Sequence, residues 1–425
     1  MKQTSFANAS SIFFVGIKGV AMSNIARMMA QMGTRVSGSD TTESQITDEC
    51  VSALHINTIP LEASIPDHVQ LVVYGAAHEG ALGAQVKEAL HRKIPIITQA
   101  ALIAELITLF PISLAVSGCH GKTGTTSLAA FIAQELYEGA VSWLIGAPYF
   151  SGKSIQGAIT KFTGGEYVSD AKIFIFEADE YGVCPPTDPT PKILLYHPTH
   201  ILCTNVDFDH PDIFTDIAHV ERVFAEFFTH AKHVTRLDST SIAGNEQGVI
   251  DFFVTELGHD RQRVTSIAHR FTGVARRLEF HGVHGGVMIY DDYGHHPAEI
   301  HATIMALRKA HPNARIVLAF QAHTYSRTIA LKEAFVDALC EADSVHIDAI
   351  FPSARESGAV TIRATDLSDL ARTKGHLHIH GYENRESLVT SLHTDVHAGD
   401  VLVTIGAGSI YTIIPELQTF LDQSL

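Results

Sequence analysis

Short, almost wholly apolar runs recur along the chain, separated by stretches whose apolar residues fall at helical spacing. Ser11-Ile-Phe-Phe-Val15, Leu71-Val-Val-Tyr74, Ile94-Pro-Ile-Ile97 and Ile112-Ser-Leu-Ala-Val116 are runs of the first kind. So are Lys172-Ile-Phe-Ile-Phe176, His200-Ile-Leu-Cys-Thr204, Val287-Met-Ile-Tyr290, Arg315-Ile-Val-Leu-Ala-Phe320 and Val401-Leu-Val-Thr-Ile405. A run of this length bounded by turn residues predicts a strand buried on both faces, and strands alternating with helices predict parallel α/β sheets. Thr34-Arg-Val-Ser37 adds a strand, and helices are predicted over 24–32 and from Ser127 onward. The segment 182–191 holds four prolines and is expected to be a loop.

Several of these strands end in residues with chemical potential. After the run from Ile112 comes Gly118-Cys119-His120-Gly121-Lys122-Thr123-Gly124-Thr125, a phosphate-loop pattern with two residues between the glycines where four are usual. Backbone N–H groups of such a loop curl around phosphate oxygens, Lys122 reaches the terminal phosphates, and the Thr123 hydroxyl is offered to Mg²⁺. Cys119 is read as a small residue that fits the loop. Lys122 is expected to face solvent in the absence of nucleotide, so that its removal leaves stability untouched. The strand ending at Phe176 delivers Glu177, Asp179 and Glu180 to the ligand-collecting edge of the same sheet, where Mg²⁺ would take one or two carboxylates. The strand ending at Thr204 delivers Asp207, Asp209 and His210 there, and His210 is a metal or acid–base candidate. Near the N-terminus, Gly16-Ile-Lys-Gly19 follows the first strand and Gly38-Ser39-Asp40 follows the second. The acid thus arrives about 20 residues after a glycine turn, where a nucleotide ribose is normally held.

Composition narrows the function classes. The chain has 425 residues, enough for two to four domains, with 46% hydrophobic and 18% charged residues. A net charge of -16 with no basic cluster excludes a non-specific nucleic-acid binder. Five scattered cysteines without a CxxC pair fit a reducing compartment, not a disulfide framework. No membrane span or signal peptide is read, so a soluble, cytoplasmic protein is expected.

The motifs together resemble the Mur ligases, the ATP-dependent amide-forming family of peptidoglycan synthesis, along nearly the whole chain. Gly118 to Thr123 matches the family's Gly-x-His-Gly-Lys-Thr, Glu177 to Glu180 its Glu-Ala-Asp-Glu, and Asp209-His210 its Asp-His. Arg276-Arg277 matches its interdomain pair and Asp291-Asp-Tyr-Gly-His295-His296-Pro a motif of its alanine-adding and tripeptide-recycling branches. Gln321-Ala-His323-Thr-Tyr-Ser-Arg327-Thr is similar to the alanine-adding branch, whereas Phe208 to Phe214 is similar to the recycling branch.

The resemblance implies three α/β domains: a Rossmann-like UDP-sugar-binding domain over 1–110, a P-loop ATPase-like domain over 111–272 and a Rossmann-like amino-acid-binding domain over 273–425. It implies ATP on Gly118 to Thr125 with Arg277 at the phosphates and Asp291 at the ribose. Mg²⁺ falls to Thr123, Glu177 and His210. Gly16, Gly19, Ser39 and Asp40 hold the UDP part of the substrate, and His295, His296, His323 and Arg327 face the incoming amine, with Arg327 on its carboxylate. His323 or His296 could serve as general base. Lys122, Glu177, His210 and Arg327 are the residues expected to carry catalysis. The family's His-Asn-x-x-Asn is represented only by Asn245, and the segment between Phe228 and Gly244 is short for the family. The implied reaction joins L-alanine to UDP-N-acetylmuramate. Two other readings stay open: attachment of a recycled tripeptide to the same sugar nucleotide, and nucleotide binding without ligation. Oligomeric state is left open.

Overall fold

The computed structural model describes residues 5–43, 45–208, 210, 213–239, 241–352 and 362–423, so the sequence-predicted Asp209 lies outside the described residues. Two compact units divide the chain, Met1–Val274 and Ala275–Leu425. Among the described residues no helix is long and apolar enough to cross a membrane.

The first unit carries two large sheets and one two-stranded pair. Strands β1 (Ser11–Val15), β2 (Arg35–Asp40), β3 (Asn57–Pro60), β4 (Leu71–Tyr74) and β5 (Ile96–Thr98) form a parallel sheet in the order β3-β2-β1-β4-β5. Every residue of β1 is buried, as its unbroken apolar run requires. The second sheet contains β6 (Ser113–Ser117), β7 (Val141–Lys153), β8 (Ile159–Glu166), β9 (Ile173–Glu177), β12 (His200–Cys203), β13 (His233–Arg236) and β14 (Phe271–Val274). Its order is β13-β12-β6-β9-β7-β14, with β8 paired to β7, and the strands from β13 to β7 are parallel. The ends of β6, β9 and β12 therefore open on one edge, where the candidate residues gather.

The helix Val20–Gln31 joins these sheets. Its Asn24, 1% exposed, donates from Nδ2 to the carbonyls of Ile145 and Ala147 at 2.8 and 2.9 Å, which is how a buried amide avoids a desolvation penalty. One turn on, Arg27 pairs with Glu166 at 3.1 Å. Between β9 and β12 the proline-rich segment is not the plain loop expected from its composition. It forms a short antiparallel pair, β10 (Gly182–Cys184) and β11 (Asp188–Pro191), with Pro185 and Pro186 in the turn and Pro189 and Pro191 in β11, which a two-stranded pair tolerates because each strand is an edge.

The second unit has one six-stranded sheet: β15 (Glu279–His284), β16 (Val287–Asp292), β17 (Ile316–Phe320), β18 (Ser344–Ile347), β19 (Ile379–Gly381) and β20 (Val401–Ile405). The order is β15-β16-β20-β17-β18-β19, parallel except for the β15–β16 hairpin. The predicted strands of this half are all present, and β17 and β20 are buried throughout.

Candidate active site

The phosphate loop lies between β6 and the helix Lys122–Leu136. Gly118 has φ +124° and Gly121 φ +80°. A Cβ on Gly118 would stand 2.2 Å from Thr204 Oγ1, and one on Gly121 2.6 Å from Asn245 Nδ2, so side chains are excluded at both positions by backbone angle and by space. Gly121 gives the helix no side-chain cap. The first-turn N–H groups of Lys122, Thr123 and Gly124 are therefore available to an anion, with the helix dipole aligned behind them. A Cβ on Gly124 would meet nothing within 4 Å, leaving that approach open. Thr125 turns inward, its hydroxyl donating to Gly121 O at 2.8 Å.

The loop is clasped from behind by the segment after β12. Asn205 accepts from His120 N–H at 3.0 Å and donates back to His120 O at 2.8 Å. Cys119 Sγ lies 2.9 Å from the carbonyl of Asp207, to which it donates, and accepts from Asp207 N–H at 3.2 Å. The thiol is thus part of the clasp, as its reading as a fitted residue anticipates. Asn205 was not among the sequence-predicted residues.

Lys122 does not face solvent. Its side chain is 12% exposed and its ammonium sits 2.7 and 3.0 Å from the two oxygens of Glu180, itself 1% exposed. Burial by itself would lower the lysine pKa, but Glu180, Asp179 and Glu177 together raise it, so Lys122 is firmly cationic. Asp179 pairs with Lys192 at 2.7 Å. Burial opposes ionisation of Asp179, yet Lys192 and Lys122 hold its carboxyl below the usual range. His210 Nε2 is 3.5 Å from Glu180 Oε1. Ligand atoms of Asp179, Glu180 and His210 all lie within 4.8 Å of one another. A second donor pair sits at the helix start, where Thr123 Oγ1 donates to Glu177 Oε1 at 3.1 Å and Gly146 N–H holds Glu177 Oε2 at 2.9 Å.

Asn245 comes to this loop from the helix Ile242–Thr255. It is 6% exposed, and its Oδ1 has no hydrogen-bond partner among the described residues. A buried amide oxygen left without a donor costs about 1–3 kcal/mol, an arrangement that suits a donor arriving with a ligand. Asn245→Ala is expected to raise the ATP KM about tenfold while leaving the Tm measured without nucleotide unchanged or higher. An unchanged KM with a lower Tm would assign Asn245 to packing alone.

The first glycine turn is built by Asp40. Its Oδ2 accepts from Lys18 N–H at 2.6 Å and its Oδ1 from Thr41 N–H at 2.8 Å, with His78 Nε2 at 3.6 Å. Gly16 N–H donates to Ser39 O at 2.8 Å, the Ser39 hydroxyl meets Gln85 at 2.5 Å, and Gly19 precedes the helix Val20–Gln31. All four predicted residues lie together at the mouth of β1 and β2.

In the second unit, Arg276 and Arg277 point to different partners. Arg276 is 5% exposed, bonded from Nε to Asp291 Oδ2 at 2.9 Å and from its other nitrogens to Gly406 O and Gly408 O at 2.5 and 3.2 Å. The Thr404 hydroxyl takes Asp291 Oδ1 at 2.6 Å, so Asp291 ties the ends of β16 and β20 together. Arg277 is partly exposed, 3.8 Å from Glu299, and the Tyr293 ring is shared, 5.2 Å from the Arg276 guanidinium and 5.1 Å from that of Arg277. The ring of His295 is 6.2 Å from that of His323. Burial lowers the pKa of His295 against the pull of Glu299, and the Arg327 charge adds to the lowering, so this histidine is neutral near pH 7. His296 caps the helix Pro297–Ala310, accepting from Ala298 N–H at 3.3 Å.

Glu299 underlies the histidine pair and was missed in the sequence. Its Oε2 accepts the backbone N–H of His295 and His296 at 2.9 and 3.1 Å. An acid three residues after a cap is the readable signal, a capping box. Burial opposes its ionisation, but His295, Arg277 and the two N–H groups hold its pKa down to about 2. A carboxyl depressed in the folded state adds stability above its unfolded pKa of 4.5 and loses it as pH falls towards 2. Glu299→Gln should therefore lower the Tm at pH 7, and the difference from wild type should shrink at pH 3. Nearby Asp292 is shifted oppositely, to about 6, by burial that outweighs Arg277 and its two backbone donors.

Three family models match the chain: the Mur ligase family catalytic domain over residues 11–111, the Mur ligase middle domain over 116–306 and the Mur ligase glutamate ligase domain over 276–408. A UDP-N-acetylmuramate–L-alanine ligase of Agathobacter rectalis is 30% identical over 98% of this chain and 99% of its own. That of Streptococcus pyogenes is 31% identical over 93% and 94%. Among solved structures, the UDP-N-acetylmuramate–alanine ligase of Thermotoga maritima superposes with TM-score 0.74 at 19% identity, covering 98% of this chain and all of that one. The murein peptide ligase of Psychrobacter arcticus gives 0.68 at 19%, covering 97% and 98%. A phosphate loop clasped by the next strand's end, acids facing its lysine, and matches running from Ser11 to Gly408 converge on one statement: this chain belongs to the Mur ligase family.

Proposed function

We propose that this chain is an ATP-dependent carboxylate–amine ligase that joins L-alanine to the lactyl carboxylate of UDP-N-acetylmuramate in the cytoplasm, in peptidoglycan precursor synthesis. The observation that carries the proposal is the Lys122 ammonium held among Glu177, Asp179 and Glu180 at the mouth of a phosphate loop. Relatives named for the L-alanine reaction, at about the same identity over nearly the full chain, favour alanine over a tripeptide as the amine.

A carboxylate is a poor electrophile, so it is first activated. One of its oxygens attacks the γ-phosphorus of ATP, ADP leaves, and an acyl phosphate forms. The alanine nitrogen then adds to the acyl carbon, the tetrahedral intermediate collapses, and phosphate departs as the amide forms. Lys122 neutralises charge on the phosphoryl group in transfer, and the loop N–H groups fix its position. An incoming phosphate competes with Glu180 for Lys122. Glu180, once displaced, remains beside Asp179 and His210, and these three together with Thr123 and Glu177 fit Mg²⁺ through their predominantly oxygen donors. Held by those residues, Mg²⁺ would supply positive charge that offsets the negative charge of the phosphoryl group in transfer. We assign ATP contacts to Gly118 through Thr125, Asn245 and Arg277, and the UDP portion to Gly16, Gly19, Ser39 and Asp40; Asp291, 1% exposed with both oxygens bonded to Arg276 and Thr404, is a tie between β16 and β20 instead of the ribose contact expected from the resemblance. Arg327 takes the alanine carboxylate, and His323, beside neutral His295, takes the ammonium proton.

The test is phosphate release by the purified protein with UDP-N-acetylmuramate, Mg-ATP and either L-alanine or the muropeptide tripeptide. Turnover with L-alanine at the higher kcat/KM supports the proposal. Turnover only with tripeptide would move the chain to the recycling reaction, and nucleotide binding with no turnover on either amine would overturn ligation.

A further inference from the structure

The second sheet of the first unit carries another set of donor groups at the edge opposite the phosphate loop. His200 opens β12 and His233 opens β13, and the two are register partners on adjacent parallel strands. Glu256, just beyond the helix Ile242–Thr255, reaches them, with Oε2 3.1 Å from His233 Nδ1. One ligand atom from each of the three lies within 4.8 Å of the others. The acids and lysine of the phosphate site stand at the C-terminal ends of β6 and β9, so neither ATP nor its magnesium accounts for this cluster.

Thr199 anchors one nitrogen of His200. Its hydroxyl lies 2.9 Å from Ser113 O, accepts from Ser113 N–H at 2.8 Å and stands 2.8 Å from His200 Nδ1. With the hydroxyl proton given to Ser113 O, His200 holds its own proton on Nδ1 and offers Nε2 as a lone pair. A ligating histidine whose other nitrogen is fixed by a hydrogen-bond acceptor is the usual outer-shell arrangement around a metal. His200 is 9% exposed, whereas the His233 side chain is 52% exposed.

We propose that His200, His233 and Glu256 form a zinc-binding site, separate from the catalytic edge, with two imidazole nitrogens and one carboxylate oxygen as protein ligands and water completing the tetrahedron. Imidazole donors select zinc and its transition-metal neighbours over magnesium. Ligand atoms around tetrahedral zinc stand about 3.3–3.6 Å apart, given metal–ligand distances near 2.0–2.2 Å, and the His233–Glu256 separation of 3.1 Å is already close to that edge. The two imidazoles stack at 4.6 Å with planes 15° apart. One ion cannot lie in the plane of both rings in that pose, so binding turns the exposed His233 ring out of the stack while Thr199 keeps His200 in place.

The full-length protein would be titrated with zinc against a chromophoric chelator, alongside His233→Ala and Glu256→Ala, with Tm recorded for each with and without zinc. Both replaced side chains are partly exposed, and their zinc-free Tm reports whether the variants are folded. The expected result is one zinc per chain bound by wild type, affinity at least tenfold weaker in each variant, and a zinc-dependent rise in Tm seen in wild type alone. Ligase turnover should be the same in all three. Zinc uptake equal in wild type and both variants would place the metal on others of the 26 histidines and overturn the site, as would no uptake at all.

Discussion

Lys122→Ala is expected to lower ligation by at least about 10²–10³-fold, the usual consequence of removing one electrostatic donor from a developing charge. It is also expected to destabilise the protein, contrary to what a solvent-facing loop lysine would do. Glu180 is 1% exposed and loses its bidentate partner, and a buried charge left without its mate costs about 3–5 kcal/mol. His210, 3.5 Å from Glu180, is near enough to offset part of this, which puts the expected loss at the lower end of that range. The double variant Lys122→Ala, Glu180→Ala separates the effects: removing the stranded carboxylate should recover much of the Tm and none of the turnover. A single variant that keeps more than about a tenth of wild-type turnover would remove Lys122 from phosphoryl transfer.

Glu177→Ala is expected to have the second largest effect. Glu177 accepts from the Thr123 hydroxyl and from Gly146 N–H, an arrangement that aims one carboxylate at the start of the phosphate-loop helix. Its loss should lower kcat/KM by about 10²-fold and raise the magnesium concentration needed for half-maximal rate. Glu177→Gln keeps the size and one acceptor but not the charge, so it should fold as wild type and share the magnesium defect. A normal magnesium dependence in both variants would reduce Glu177 to a structural tether of Gly146.

Much of this arrangement was legible in the residues, and what was legible had local causes. Unbroken apolar runs such as Ile173 to Phe176 report burial on both faces, and the spacing from Gly118 to Thr123 reports a turn that only a phosphate loop needs. The missing parts depend on segments far apart in the chain. Lys122 meets Glu180 because β9 and β6 are neighbours, and the Asn205 clasp exists because β12 flanks β6 on its other side. Neither pairing has a period or a spacing that could reveal it. The Asp40 turn shows the same limit: its distance from Gly16 was readable, but its use in holding Lys18 and Thr41 N–H was not. Arg276 and Arg277 are adjacent and both lie over Tyr293, and it is the fold that makes Arg276 the buried partner of Asp291 and leaves Arg277 half-exposed beside Glu299.

An acyl phosphate formed at the phosphate loop before the amine attacks leaves an isotopic record. The reaction would be run with UDP-N-acetylmuramate carrying ¹⁸O in both lactyl carboxylate oxygens, and the released phosphate analysed by mass spectrometry. Activation by phosphoryl transfer predicts one ¹⁸O in each phosphate released, because the oxygen that attacks the γ-phosphorus leaves with it. Phosphate free of ¹⁸O, formed while the amide accumulates, would rule out an acyl phosphate.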